Sequence, residues 1–138
     1  MNWIIRPPQE QDIPFVYATW LRSYHVDTDY IQMMRKSTYF ENYRLVLDHI
    51  LSSADTDIVC LKDTPEVILG YLISQPKTIH YIFVKDAFRH LGIAEDLISK
   101  RFPEDQEITC THATKSILPF LKRNTLINFN PFTLYKGI

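Results

Sequence analysis

Glycine is scarce in this sequence. Three occur among 138 residues, Gly70, Gly92 and Gly137, and no linker rich in Gly or Ser divides the chain. With no internal repeat or low-complexity tract either, one domain spanning residues 1–138 is predicted. Cysteine is rarer still. Cys60 and Cys110 lie in the apolar stretches IVCLK and ITCTH, with no CxxC spacing and no His-rich neighbourhood. That pattern argues against zinc and predicts buried thiols, a disulfide or a reactive cysteine being the alternative. No metal site is expected.

Long apolar runs are missing too. None approaches the roughly 20 residues that span a bilayer, and the start MNWIIRPPQEQD lacks the basic segment and apolar run of a signal peptide. A cytoplasmic protein without a membrane partner is expected. Charge of one sign is equally absent: the formal net charge is −1 and no long run of one sign occurs, so nothing points to nucleic acid.

What is present is core material. At 46% hydrophobic and 13% aromatic, the chain can build a real interior. WIIR reads as a strand that PPQEQ must end, because two prolines remove ladder donors. Asp12 is placed to cap a helix from Ile13, in which Val16, Tyr17, Trp20, Leu21 and Tyr24 recur at helical spacing and Pro14 falls in the first turn. Residues 25–36 read as a loop or short helical turn. Thr38 and Glu41 form a capping-box pattern ahead of a second stripe, Tyr39, Tyr43, Val46, Leu47, Ile50 and Leu51.

DIVCLK and VILGYLIS, separated by DTPE, predict a hairpin. TIHYIFV follows; both alternate sets, Ile79/Tyr81/Phe83 and His80/Ile82/Val84, are largely apolar, as in a strand covered on both faces. GIAEDLISKRF reads as a helix, EITCT as a strand, and SILPFLKRN as a short helix with Ser116 as its cap and Pro119 in its first turn. INFNPFTLY reads as a last strand interrupted by Pro131. The order is strand, two helices, three strands, helix, strand, helix, strand: an α/β (α+β) chain with a mixed central sheet flanked by helices.

The stretch VKDAFRHLGIA joins the covered strand to a helix. A helix start leaves backbone N–H groups without partners, and these attract an anion. Gly92 lets a phosphate oxygen approach the main chain, Ala94 keeps the next turn open, and Arg89 offers a planar bidentate donor. The alternative is an ordinary turn glycine beside a solvated arginine.

These residues resemble the acyl-CoA-binding signature of the GCN5-related N-acetyltransferase (GNAT) superfamily: Arg or Gln, two residues, Gly, any residue, then Gly or Ala. Arg89, Gly92 and Ala94 meet it, with Phe88 in the usual aromatic place and Val84 at the strand end. The element order is similar as well.

The resemblance implies an acyl-CoA co-substrate, acetyl-CoA by family usage or another acyl-CoA, bound at the end of the fourth strand. Ile82, Phe83 and Val84 would take the pantetheine arm, and Arg89, His90, Leu91, Gly92, Ile93 and Ala94 the pyrophosphate. It implies attack of an amine, on a small molecule or peptide, on the thioester, with a strand N–H near Val84 steadying the oxyanion.

The acceptor would lie near Trp20, Arg22, Ser23, Tyr24 and His25. His112 and His80 are the candidate bases. Where relatives often carry a tyrosine in a stretch like FYEKxGF, FLKRNTL puts Leu121 at the tyrosine, Thr125 at the glycine and Leu126 at the Phe. Leucine donates no proton, so Tyr135, Tyr24, water or an unassisted thiolate remains. The departure leaves a second reading open, a CoA-binding or assembly module without catalysis. The short ending leaves the acceptor pocket either open or completed by a second subunit, as in a homodimer.

Overall fold

The computed structural model describes residues 2–135. Its elements are β1 (Trp3–Arg6), α1 (Ile13–Val26), α2 (Lys36–Leu51), β2 (Asp55–Leu61), β3 (Ile68–Gln75), β4 (Thr78–Val84), α3 (Ile93–Arg101), β5 (Ile108–Cys110), α4 (Leu118–Arg123) and β6 (Ile127–Phe129). The order is the predicted one, and residues 25–36 hold a 3-10 turn at Ile31–Met33 as expected. The six strands form one mixed sheet in the spatial order β1 to β6. Neighbours from β1 to β4 are antiparallel, whereas β4–β5 and β5–β6 are parallel.

Two apolar layers cover the sheet. Val16, Trp20, Tyr39 and Leu47 from α1 and α2 pack on Ile58, Tyr71, Ile73 and Tyr81. On the opposite face Ile93 and Leu97 of α3 pack on Val59, Leu69, Leu72, Ile79 and Cys110. Strand β4 is therefore covered on both faces, but its alternation is broken. Ile73 pairs with Tyr81 and Ser74 with Ile79, so His80 is an extra residue in the ladder. This bulge moves Ile79 to the α3 layer with Ile82 and Val84, leaving Tyr81 and Phe83 on the α1 side. The simple alternate sets read from the sequence do not survive it.

Four local signals act differently from expectation. The Asp12 carboxylate does not cap α1. It accepts from both Arg6 Nη atoms, at 2.6 and 3.1 Å, and from the Gln9 N–H at 2.7 Å. A guanidinium as shielded as that of Arg6, whose side chain is 12% exposed, demands an anion more strongly than a helix end does, and that bond holds the carboxyl below its usual range. Thr38 and Glu41 are not a cap either: α2 begins two residues earlier, after Arg35, whose carbonyl accepts from the Tyr39 N–H at 3.0 Å. Tyr39 is buried and its hydroxyl donates to Leu21 O at 2.7 Å. Such tertiary anchoring outweighs a cap worth about 1 kcal/mol.

Ile117, not Ser116, precedes α4, although Pro119 does fall in the first turn. Ser116 is drawn away by Asp27 and Arg89. After β6 the chain does not resume a strand. Pro131 opens a 3-10 turn to Tyr135, and the Asn130 side chain accepts from the Phe132 N–H at 3.0 Å. Both cysteines are free and buried; burial pushes the Cys110 thiol up to about 11.

A polar chain crosses the sheet where β4 meets β5. His80 Nε2 lies 2.7 Å from Gln75 Oε1, His80 Nδ1 lies 3.0 Å from Thr111 Oγ1, Thr111 Oγ1 lies 2.9 Å from His112 Nδ1, and His112 Nε2 meets the Tyr43 hydroxyl. Because the amide oxygen only accepts, one direction satisfies every group. Tyr43 donates to His112, His112 to Thr111, Thr111 to His80 and His80 to Gln75. Both imidazoles are neutral in this arrangement. Burial pulls His80 down to about 4, and burial with the His80 interaction pulls His112 down to about 3.

Two outcomes follow from this interior. The folded-state values lie below the unfolded histidine value, so on acidification the unfolded chain takes up protons first and stability falls from about pH 6.5 downward. Urea denaturation at pH 5 should show a loss of about 2 kcal/mol per histidine relative to pH 7.5, part of which His112→Gln removes; an unchanged midpoint would rule the neutral chain out. Separately, a Cβ on Gly70 would lie 2.3 Å from the Phe83 carbonyl oxygen. Gly70→Ala should therefore cost at least about 3 kcal/mol in the same assay, whereas a cost under about 1 kcal/mol would show that β3 can move away from β4.

Candidate functional site

Strands β4 and β5 share only two rungs, Thr78 with Thr109 and Ile79 with Cys110, followed by one bond from the Thr111 N–H to Ile79 O at 2.9 Å. Beyond them β5 ends, while β4 continues beside β3 as far as Val84 opposite Gly70. A cavity of about 810 Å³ opens in the gap. Its walls are the last turns of α1, the end of β4, the loop into α3, and residues 114–123.

The ladder fixes which backbone groups face this gap. Lys85 N–H donates to Leu69 O at 2.8 Å, so Phe83 and Lys85 turn their main chain toward β3. By the alternation of a strand, Ile82 and Val84 turn theirs toward the cavity. Arg89 Nε, which donates to Val84 O at 3.1 Å, reaches Val84 from that side. All three residues expected to meet the donor arm line the cavity, Phe83 by its side chain, whose ring stacks on Tyr71.

After β4 a 3-10 turn over Asp86–Phe88 leads to two left-handed residues, His90 at φ 65° and Gly92 at φ 96°. Only glycine takes this conformation freely, and for His90 it costs about 1 kcal/mol. The first bond within α3 runs from the Asp96 N–H to Gly92 O at 3.0 Å. The N–H groups of Ile93, Ala94 and Glu95 therefore lack helical acceptors. A Cβ on Gly92 would meet nothing within 4 Å, and Gly92, Ile93, Ala94 and Glu95 all line the cavity. The cavity wall includes Arg89, His90, Gly92, Ile93 and Ala94 but not Leu91, which projects outward and is half-exposed.

Arg89 is already engaged. Besides Val84, its Nη1 reaches Ser116 Oγ at 3.1 Å and Asp86 at 2.7 Å, so the guanidinium straddles the mouth of the gap. Nη2 forms no hydrogen bond with the described residues and is the edge free for an anion.

The other expected residues divide. Arg22 and Ser23 line the cavity. Trp20 and Tyr24 do not: they are 0% and 3% exposed, and Trp20 stacks on Tyr81 at 4.7 Å. His25 stacks on Phe40 outside the cavity. His112 is not beside the crevice but enclosed by Trp20, Tyr24, Tyr43 and Tyr81, and His80 is buried behind it. The bulge that sends Tyr81 toward α1 places its ring over His112, while His80 is held by Gln75 and Thr111. Tyr135 stands at a separate groove against α2.

Leu121 packs into the α3-side layer, and α4 instead turns Phe120 and Arg123 to the cavity. Tyr81, Asp27 and Ser116 line the cavity without having been assigned to the site from the sequence. Asp27 carried a usable signal, since it lies four residues after Ser23 on one helix face. Ser116 carried none.

No family model matches the sequence, and no curated protein matches it. Solved structures do. A GCN5-related N-acetyltransferase from Rhodopseudomonas palustris superposes with a TM-score of 0.63 at 16% identity, over 89% of this chain and 80% of that one. The apo form of YjaB from Escherichia coli gives 0.60 at 16%, over 80% and 71%. A Pyrococcus furiosus protein named as an acetyl transferase gives 0.56 at 14%, over 99% and 93%. At such identities the likeness concerns architecture, and with the mixed sheet, the parting of β4 from β5 and the loop into α3 it assigns one: the chain has the GCN5-related N-acetyltransferase fold.

Proposed function

We propose that the protein is an acyl-CoA-dependent N-acyltransferase, with acetyl-CoA as the donor. The observation that carries this reading is the gap between β4 and β5, which ends on the unpartnered N–H groups at the start of α3. An extended pantetheine arm can pair with the cavity-facing backbone of Ile82 and Val84 as a further strand does. The pyrophosphate then falls on residues 89–94, where backbone donors and Arg89 meet it. Arg89 meets it through Nη2, the edge that Ser116, Asp86 and Val84 leave free.

The acceptor, an amine on a small molecule or peptide, attacks the thioester carbon. A C–N bond forms, the C–S bond breaks, and the nitrogen gives up a proton to water in the cavity. A cavity-facing N–H at the end of β4 stabilises the oxyanion. Neither histidine fits the role of base, because each is buried, neutral and committed to the chain from Tyr43 to Gln75. No side chain at the Leu121 position protonates the leaving group; a thiolate with a pKa of about 8.5 can depart and take its proton from water.

One observation favours a second reading, a CoA-binding module without turnover. Leu121 is packed into the core, and Phe120 faces the cavity in its neighbourhood, so α4 supplies no proton donor there.

Calorimetry should show saturable binding of both acetyl-CoA and CoA. Arg89→Ala should weaken it about tenfold, and Gly92→Val should nearly abolish it with the circular dichroism of the fold retained. No binding of either ligand to the native chain would overturn the reading. Thiol release above background hydrolysis across amines, polyamines, amino acids and peptides distinguishes the enzyme; tight binding without release identifies the module.

A further inference from the structure

The sheet ends on β1 at one side and on β6 at the other, and its two edges differ in kind. At β1, α3 guards the edge: Lys100 Nζ donates to Ile5 O at 3.4 Å, and Asp96 accepts from the Trp3 indole at 2.9 Å. Pro7 and Pro8 follow. Charges and prolines of this kind keep an edge strand from pairing with another chain. At β6 no charge stands guard. The stretch TLINFNPFTLY, residues 125–135, carries none, in a chain that is 22% charged.

The parallel ladder fixes which groups of β6 lie open. Leu126 O accepts from the Ile108 N–H at 2.8 Å, and the Asn130 N–H donates to Cys110 O at 2.9 Å, so these residues turn their main chain to β5. By alternation Ile127 and Phe129 turn theirs outward. The Ile127 N–H is taken by Asn124 O at 3.0 Å, whereas the Phe129 N–H and carbonyl bond to none of the described residues. Apolar surface lies beside them. The Phe129 side chain is 47% exposed, and Phe132 and Tyr135 are 75% and 58% exposed. The latter two are three residues apart in a 3-10 turn and so share a face, while Leu134 fastens the turn to the core.

In an antiparallel ladder, two residues directly opposite can exchange both N–H···O bonds. Phe129 has both groups open, so a two-fold axis can set it opposite Phe129 of a second copy. We propose that β6 is the interface of a homodimer, in which two copies pair antiparallel about Phe129 and join their sheets. The missing charge favours a second copy over a foreign strand: across a two-fold axis each residue at the axis meets its own kind, and a charged one would meet its like. Phe129, Phe132 and Tyr135 expose on the order of 400 Å² in each copy, about half of the roughly 800 Å² per partner in a standard interface, and the exposed Leu126 adds to it. Pro131 has no N–H to give the Ile127 carbonyl of the copy, so the ladder stops there and the contact closes at two chains. None of this depends on the acyltransferase reading.

Sedimentation velocity of the full chain, followed from low micromolar to submillimolar concentration, should show a species of twice the 16.3 kDa chain mass. Phe129→Lys and Phe129→Glu should each weaken the dimer about a hundredfold or more with the circular dichroism of the fold retained. Mixing the two variants should restore a dimer, because opposite charges then meet at the axis. Phe132→Ser lies outside the sheet and should weaken the dimer about tenfold, which keeps the test open should the Phe129 variants not fold. Ile4→Lys, on the β1 edge, should leave it unchanged. A native chain that stays monomeric over the whole range overturns the proposal, as does a dimer indifferent to Phe129→Lys or to Phe132→Ser. A dimer dissolved by Ile4→Lys, or folded Phe129 variants that do not recombine, overturns it as well. CoA binding and thiol release are read separately, so a failure of either leaves the dimer standing.

Discussion

Strand β4 has a neighbour on each side for two rungs and then on one side only. Everything that makes a site depends on this constraint. A strand that runs past its parallel partner exposes a row of backbone donors and acceptors, and folded proteins do not leave such groups buried and unpaired. Here the cavity admits something else to pair with them. In the structure Arg89 occupies one position, by donating to the Val84 carbonyl, and Ile82 keeps its main chain turned to the opening.

Two features hold β4 in place where the strands part. On the β3 side, Gly70 allows β3 to press against the Phe83 carbonyl, so the end of β4 is held by close backbone contact. On the β5 side, the chain His80–Thr111–His112 ties the strands together just before they part. The aromatic rings of Trp20, Tyr24 and Tyr81 then close over His112. These histidines contribute order to the junction, and their protons stay inside it.

The elements were legible in the sequence because burial imposes a period, and Val16 to Tyr24 or Tyr39 to Leu51 carried it plainly. Arg89, Gly92 and Ala94 were legible for a different reason: a left-handed residue at a helix start requires glycine, and the spacing to Arg89 is local. What could not be read depended on competition or on parity. Thr38 and Ser116 had the composition of caps, yet Tyr39 and Asp27 outbid them from elsewhere in the chain. The bulge at His80 left no trace, since both alternate sets of TIHYIFV are apolar. That single inserted residue decides which side chains of β4 face α1 and which face α3.

The central claim is that the free edge of β4 and the start of α3 together hold one ligand. Amide hydrogen exchange resolved by residue, with and without CoA, tests it most directly. Protection confined to Ile82, Val84, Gly92, Ile93 and Ala94, with Ile5 and Val59 unchanged, is the predicted result. No change at those amides in the presence of saturating CoA, or protection at α3 without any at β4, would contradict it.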